Sequence, residues 1–355
     1  MTTPDLDRIR AFAEQVGGVI TGGATTAMMV LGDRLGLYAA LARSSPATST
    51  ELAEQTGTHE RYVREWLAQQ TAVGFVTHDA TEQTFTLPRE HAAVLASDDS
   101  PAAMIGAAPL ATGLHRRIDE VVAAFRSGDG IPWAEQDPTI FEQTERFFRT
   151  SYRNSLVPEW IPALAGVHEK LTTGACAADI GCGRGAALIL LADAYPQSRF
   201  VGFDVHEPSV VTARKRAADA GVSDRVTFEV AHCHGYPQDR YDLVMFFDAF
   251  HDLGDPLGAG AYARAALTED GTLMLVEPRA GDDLTTTIAT VPVAALGYAA
   301  STFLCMPNSL SQPGGAALGA LTGERRLREV LVDAGFQTIR RVAENPFNMV
   351  LEAKP

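Results

Sequence analysis

Two carboxylates, a glycine turn and a histidine are the residues of this chain best suited to chemistry. The run Asp179-Ile180-Gly181-Cys182-Gly183-Arg184-Gly185 ends an apolar stretch with a glycine turn and then opens a helix. Glycine tolerates the backbone angles of such a turn, and it lets a ligand lie against bare main chain at a helix N-terminus. Twenty-one residues beyond Gly183, the run Arg199-Phe200-Val201-Gly202-Phe203 ends in Asp204, the spacing at which an acidic side chain reaches ribose hydroxyls. Gly181, Gly183 and Ala186 also satisfy the G-x-G-x-x-G/A dinucleotide fingerprint, so the loop alone leaves two nucleotide-type cofactors open. Asp179 bears on that choice, because a carboxylate at the strand end suits a cationic or hydroxyl-rich ligand better than a diphosphate.

The second constellation is Phe247-Asp248-Ala249-Phe250-His251-Asp252-Leu253-Gly254-Asp255-Pro256. An imidazole with an unperturbed pKa of about 6.5 is mostly neutral at physiological pH and can take a proton from a hydroxyl. Asp248 or Asp252 can orient the ring; the plainer reading is a histidine that satisfies a loop backbone. The triplet His232-Cys233-His234 invites a metal. Adjacent residues on extended chain point to alternate faces, and tetrahedral sites favour spaced pairs, so no metal is assigned.

These residues need a parallel sheet to bring them to one edge, and the pattern from Cys176 onward supplies it. Apolar strands at 176–180, 200–203, 226–230, 243–247 and 272–276 alternate with helices at 184–195, 208–220 and 258–267. After a helix over 324–334, two strands flank Glu344-Asn345-Pro346 as a terminal hairpin. Ahead of the sheet, apolar-periodic stretches at 6–20 and 25–41 precede a capped helix at 49–57, a helix at 59–73 and two short strands, 75–77 and 84–87. Helix, turn, helix and wing predict a winged helix. The expected division is residues 1–95 for the winged-helix dimerisation domain, 96–172 for a helical connector, and 173–355 for the α/β domain.

The D-x-G-x-G-x-G run resembles motif I of the class I S-adenosylmethionine (SAM) dependent methyltransferases. Over nearly its full length the chain is similar to the bacterial members that carry a winged helix. Other segments that carry the resemblance are Gly32-Asp33-Arg34-Leu35-Gly36-Leu37-Tyr38, Arg61-Tyr62-Val63-Arg64-Glu65-Trp66-Leu67 and Ser309-Leu310-Ser311-Gln312. The resemblance implies a Rossmann-like, seven-stranded sheet ending in an antiparallel strand, with SAM held by Asp179, Gly181, Gly183, Asp204, Cys233, Phe247 and Asp248. Ala231-His232-Cys233-His234 stands where the family commonly has an acid near adenine, which leaves that contact to backbone groups, His232 or Cys233. The resemblance also implies His251 as general base toward a small-molecule acceptor, with Asp252 and Glu277 supporting it. Two departures bear on O-methylation: Leu253 follows His-Asp where plant-type relatives have Trp, and Glu277 must replace their later acid. Relatives that methylate carbon through a metal use a second, downstream histidine; none follows His251. The alternative from another class is a SAM-sensing winged-helix regulator without turnover.

A net charge of −15 over 355 residues opposes a nucleic-acid partner, and residues 51–90 hold seven acids against three arginines, so DNA binding is not expected. Four scattered cysteines fit a reducing cytoplasm, and the first residues lack a basic segment followed by an apolar one. Residues 284–323 carry no charge, yet Pro292, Pro307, Pro313 and Gly314-Gly315 make them too broken for a lipid-facing helix. They are expected to form a lid or a subunit interface in a homodimer, with no membrane contact.

Overall fold

The computed structural model describes residues 4–238 and 241–355, which divide into one compact unit up to Gly113 and another from Leu114 onward. In the first unit, α1 (Leu6–Arg34) is a single helix where the apolar pattern suggested two. The pairs Gly17-Gly18 and Gly22-Gly23 do not break it, although helical glycine costs about 1 kcal/mol each. The Asp5 carboxylate caps its start by accepting from the N–H groups of Asp7 (2.9 Å) and Arg8 (3.3 Å).

Three helices follow: α2 (Leu37–Ser44), α3 (Ser49–Thr56) and α4 (Glu60–Ala72). A capping box between Thr48 and Glu51 starts α3, and Gly57 ends it in the left-handed region. Tyr38 and Trp66 meet edge to face at 5.0 Å among Leu41, Leu52 and Leu67, all buried. The wing pairs β1 (Thr77–Asp79) with β2 (Thr84–Thr86) in antiparallel fashion. Its first strand starts later than the alternation suggested, because the Phe75 and Val76 N–H groups donate to the Gln70 carbonyl that closes α4.

The second unit is built on seven strands: β3 (Cys176–Ile180), β4 (Arg199–Asp204), β5 (Val226–Val230), β6 (Tyr241–Phe247), β7 (Leu267–Pro278), β8 (Thr338–Glu344) and β9 (Asn348–Lys354). Their order is β5-β4-β3-β6-β7-β9-β8, with β9 antiparallel to both neighbours and the other six strands running the same way. This is the expected α/β class with the expected reversed ending. Side chains of β3 alternate between two cores: Ala177 joins Leu188, Leu191, Val210 and Ala213, whereas Ala178 and Ile180 join Ala259, Ala263, Leu327 and Leu331. The sheet is therefore covered on both faces, and ligands have access at its edge.

Two helical stretches widen into π turns. Pro138–Ser151 continues as Tyr152–Trp160, which contains Pro158, and Ala294–Ala300 continues as Ser301–Cys305, ahead of Pro307. Proline has no N–H to give, and such turns re-aim the side chains around them. The uncharged segment folds as short helices, and no helix among the described residues is long and apolar enough to cross a membrane.

Candidate active site

The carboxyl ends of β3, β4, β6 and β7 bring Asp179, Asp204, Asp248 and Glu277 to one edge, and the strand order reverses direction at β3. The glycine turn follows β3. Its N–H groups at Gly181 and Cys182 both donate to the Phe203 carbonyl, at 2.8 and 3.0 Å, which locks the turn to the end of β4. Gly181, Gly183 and Gly185 have φ of +78°, +52° and +79°. A Cβ at Gly185 would meet the Phe228 ring at 2.6 Å, but one at Gly183 would meet nothing within 4 Å. Gly183 thus borders open space beside bare backbone.

Asp204 is buried, and its two oxygens accept from the N–H groups of Gly183 and His206, both at 2.8 Å. It holds the turn in shape, and its remaining lone pairs suit ribose hydroxyls. The His206 ring stacks on Phe141 at 4.1 Å, an aromatic face beside Asp204 that the motif reading missed. Asp179 is 1% exposed, and its Oδ1 has no hydrogen-bond partner among the described residues. Burial, reinforced by the Asp204 charge, pushes its carboxyl well above the usual range. A buried, orphaned carboxyl oxygen next to an open glycine turn fits a cationic donor group of a ligand.

Asp248 leaves β6 with φ +51°, unusual for a residue with a side chain. Its oxygens accept from the Tyr152 hydroxyl (3.0 Å) and the Asn348 amide (2.7 Å). Burial, followed by the Glu277 charge, raises its pKa to about 8. Phe247 is packed against Tyr152 at 5.2 Å. Cys233 lies against the apolar core on one sheet face, its thiol 3.4 Å from His234 Nδ1, and burial raises its pKa to about 11.

His251 is 3% exposed. Its Nδ1 makes a short hydrogen bond to Glu277 Oε2, while Glu277 Oε1 accepts from the Phe250 N–H at 3.0 Å. Its Nε2 stands 3.1 Å from Asp252 Oδ1. Glu277, from β7, is thus the carboxylate that fixes the ring, and Asp248 makes no hydrogen bond to it. Burial acts to lower the imidazole pKa, but Glu277, then Asp252 and Cys305, outweigh it and raise it well above the ordinary value. These charges favour the protonated ring over the mostly neutral one that the unperturbed value implies. The uncharged segment clamps this loop, with Ser309 Oγ donating to the Leu253 carbonyl (2.7 Å) and Gln312 bridging the Asp252 carbonyl and the Gly254 N–H.

Comparisons with known proteins agree with this frame. Residues 23–97 match the family model of the Rv2258c-like winged HTH domain, and residues 172–315 match a methyltransferase domain. A mitomycin biosynthesis 6-O-methyltransferase from Streptomyces lavendulae is 27% identical over 255 residues, 69% of this chain and 71% of that protein. Human N-acetylserotonin methyltransferase, solved with SAM, superposes with a TM-score of 0.69 at 14% identity over 100% of this chain and 99% of its own. An O-methyltransferase family protein from Burkholderia thailandensis gives 0.66 at 16% identity, covering 99% of each chain. At such identities the structural likeness is one of fold.

Proposed function

We propose, from the premise that this chain belongs to the winged-helix-bearing class I methyltransferases, that it methylates a hydroxyl on a small, largely apolar acceptor. The donor is SAM, which when bound supplies an electrophilic methyl on a positively charged sulfur. Asp179 would hold its ammonium group, Gly181 and Gly183 its main-chain contacts, and Asp204 its ribose. Cys233, Phe247 and Asp248 line the same edge. The observation that carries the reading is the buried Glu277–His251 pair at the carboxyl end of the strands that form this cradle.

His251 acts as the general base. Glu277 fixes one ring nitrogen, which leaves Nε2 to take the acceptor proton, and the resulting imidazolium is balanced by Glu277 and Asp252. The nearby sulfonium charge opposes protonation of the ring and returns it toward its neutral form when the donor is bound. Tyr298, Phe303 and Met306 of the uncharged segment offer an apolar wall for the acceptor. The test is incubation with methyl-labelled SAM and a panel of hydroxylated aromatic acceptors, read by mass spectrometry. Label transfer that falls about 10²- to 10⁴-fold in His251→Ala is expected. Full activity of that variant on the same acceptor would overturn the base role.

Homodimerisation is part of the reading. Residues 4–24 are all exposed in the single chain, and Leu6, Ile9, Phe12, Val16, Val19 and Ile20 recur at helical spacing along α1. A second copy supplies a self-complementary cover. DNA binding is disfavoured because Arg61 and Arg64 of α4 are each paired with a carboxylate, Glu65 at 2.6 Å and Glu60 at 2.8 Å.

A further inference from the structure

Cys305 ends the second π turn and is delivered, from 54 residues away in sequence, to the neighbourhood of His251 and Asp252. His251, Asp252 and Cys305 each offer one ligand atom, and the three atoms lie within 4.8 Å of one another. His251 and Cys305 are buried, and Asp252 Oδ1 faces His251 Nε2 at 3.1 Å. The geometry points to a binding site for a thiophilic divalent cation, zinc being the best match, formed by His251 Nε2, Asp252 Oδ1 and Cys305 Sγ, whose occupation switches the enzyme off.

The donor set argues for this class of ion. Sulfur and imidazole select zinc-like ions over magnesium or calcium, which prefer all-oxygen shells. Donors around a tetrahedral zinc sit about 3.3–3.8 Å apart for bonds of about 2.0–2.3 Å, so only small side-chain movements close the set. Three protein ligands leave a fourth position for water. The outer shell is also in place: Glu277 holds the far ring nitrogen, the carboxylate–histidine arrangement that orients metal-binding imidazoles. On binding, the Cys305 S–H and the Nε2–H each release a proton to solvent as metal–sulfur and metal–nitrogen bonds form. The ion then occupies the lone pair that would accept the acceptor's proton. Inhibition therefore rests on His251 being the base, whereas binding does not.

Titrating the full-length protein with Co²⁺ tests the site through its absorption. A thiolate-to-cobalt charge-transfer band that disappears in Cys305→Ser, with Zn²⁺ displacing the cobalt, is expected. Glu277→Gln should weaken Zn²⁺ affinity about 10- to 100-fold. Retained SAM binding by Cys305→Ser separates loss of the metal from loss of the fold. Absence of the band, or a band unchanged by Cys305→Ser, would overturn the site. A band accompanied by undiminished methyl transfer at saturating Zn²⁺ would uphold the site and contradict the base role of His251.

Discussion

At His251 two carboxylates surround one buried imidazole, and their charges make it a stronger base that is harder to empty of its proton. Asp179 poses the converse problem, a carboxyl whose pKa burial and the Asp204 charge push well above the usual range, which favours its protonated form until a cation arrives. Binding of a cationic donor must therefore release a proton, so SAM affinity should rise with pH until the raised Asp179 value is passed. Calorimetry in two buffers of different ionisation enthalpy measures that release, and in Asp179→Asn it should vanish with a loss of roughly 1.5–3 kcal/mol of binding. Asp248 gives a stability test. Its folded pKa of about 8 against an ordinary 3.8 means that the folded state keeps a proton which the unfolded chain gives up. Its stabilisation is complete below the ordinary value and is lost as pH rises toward 8, so Asp248→Asn should flatten the fall in melting temperature over that window. Asp179, Asp248 and His251 were legible because each sits in a local motif. Tyr152 and Asn348 were not, since they reach Asp248 from 96 and 100 residues away and carry no local signal of that role.

At the scale of elements, alternation revealed the strands because a sheet covered on both faces needs apolar runs of strand length. It divided α1 between two apolar stretches, 6–20 and 25–41, where one helix runs from Leu6 to Arg34, and it misplaced the start of β1, where main-chain bonds that close α4 use up the strand's donors. The π turns were invisible because they depend on where Pro158 and Pro307 fall within longer helices. One glycine in α1 is required. A Cβ at Gly32 would meet Trp66 at 2.6 Å and Tyr38 at 2.7 Å, both rings held in the first unit's core. Gly32→Ala should cost about 1–3 kcal/mol in chemical denaturation. In the second unit, Gln312→Ala removes the bridge between Asp252 and Gly254, so methyl transfer should fall while SAM affinity stays near wild type.

For the whole molecule, the acidic charge and the paired arginines of α4 oppose a polyanionic partner, and the exposed apolar side chains of α1 carry the proposal of a dimer. If α1 is the dimer element, a chain beginning at Thr25 should sediment as a monomer while retaining SAM binding. A dimer that persists would place the interface elsewhere. The identity of the acceptor had no sequence signature, because the apolar wall proposed from Tyr298, Phe303 and Met306 would constrain size more than chemistry.

The central claim, that the Glu277–His251 pair removes the acceptor's proton, is tested most directly by the pH dependence of methyl transfer to an identified hydroxylated acceptor, in wild type and in Glu277→Gln. In wild type the rate should climb with pH through an inflection above about 6.5, as the raised imidazole gives up its proton. Glu277→Gln removes the charge that raises it, so the inflection should move to lower pH as the maximal rate falls. Superimposable profiles in the two proteins, or a wild-type rate independent of pH across that range, would contradict the account.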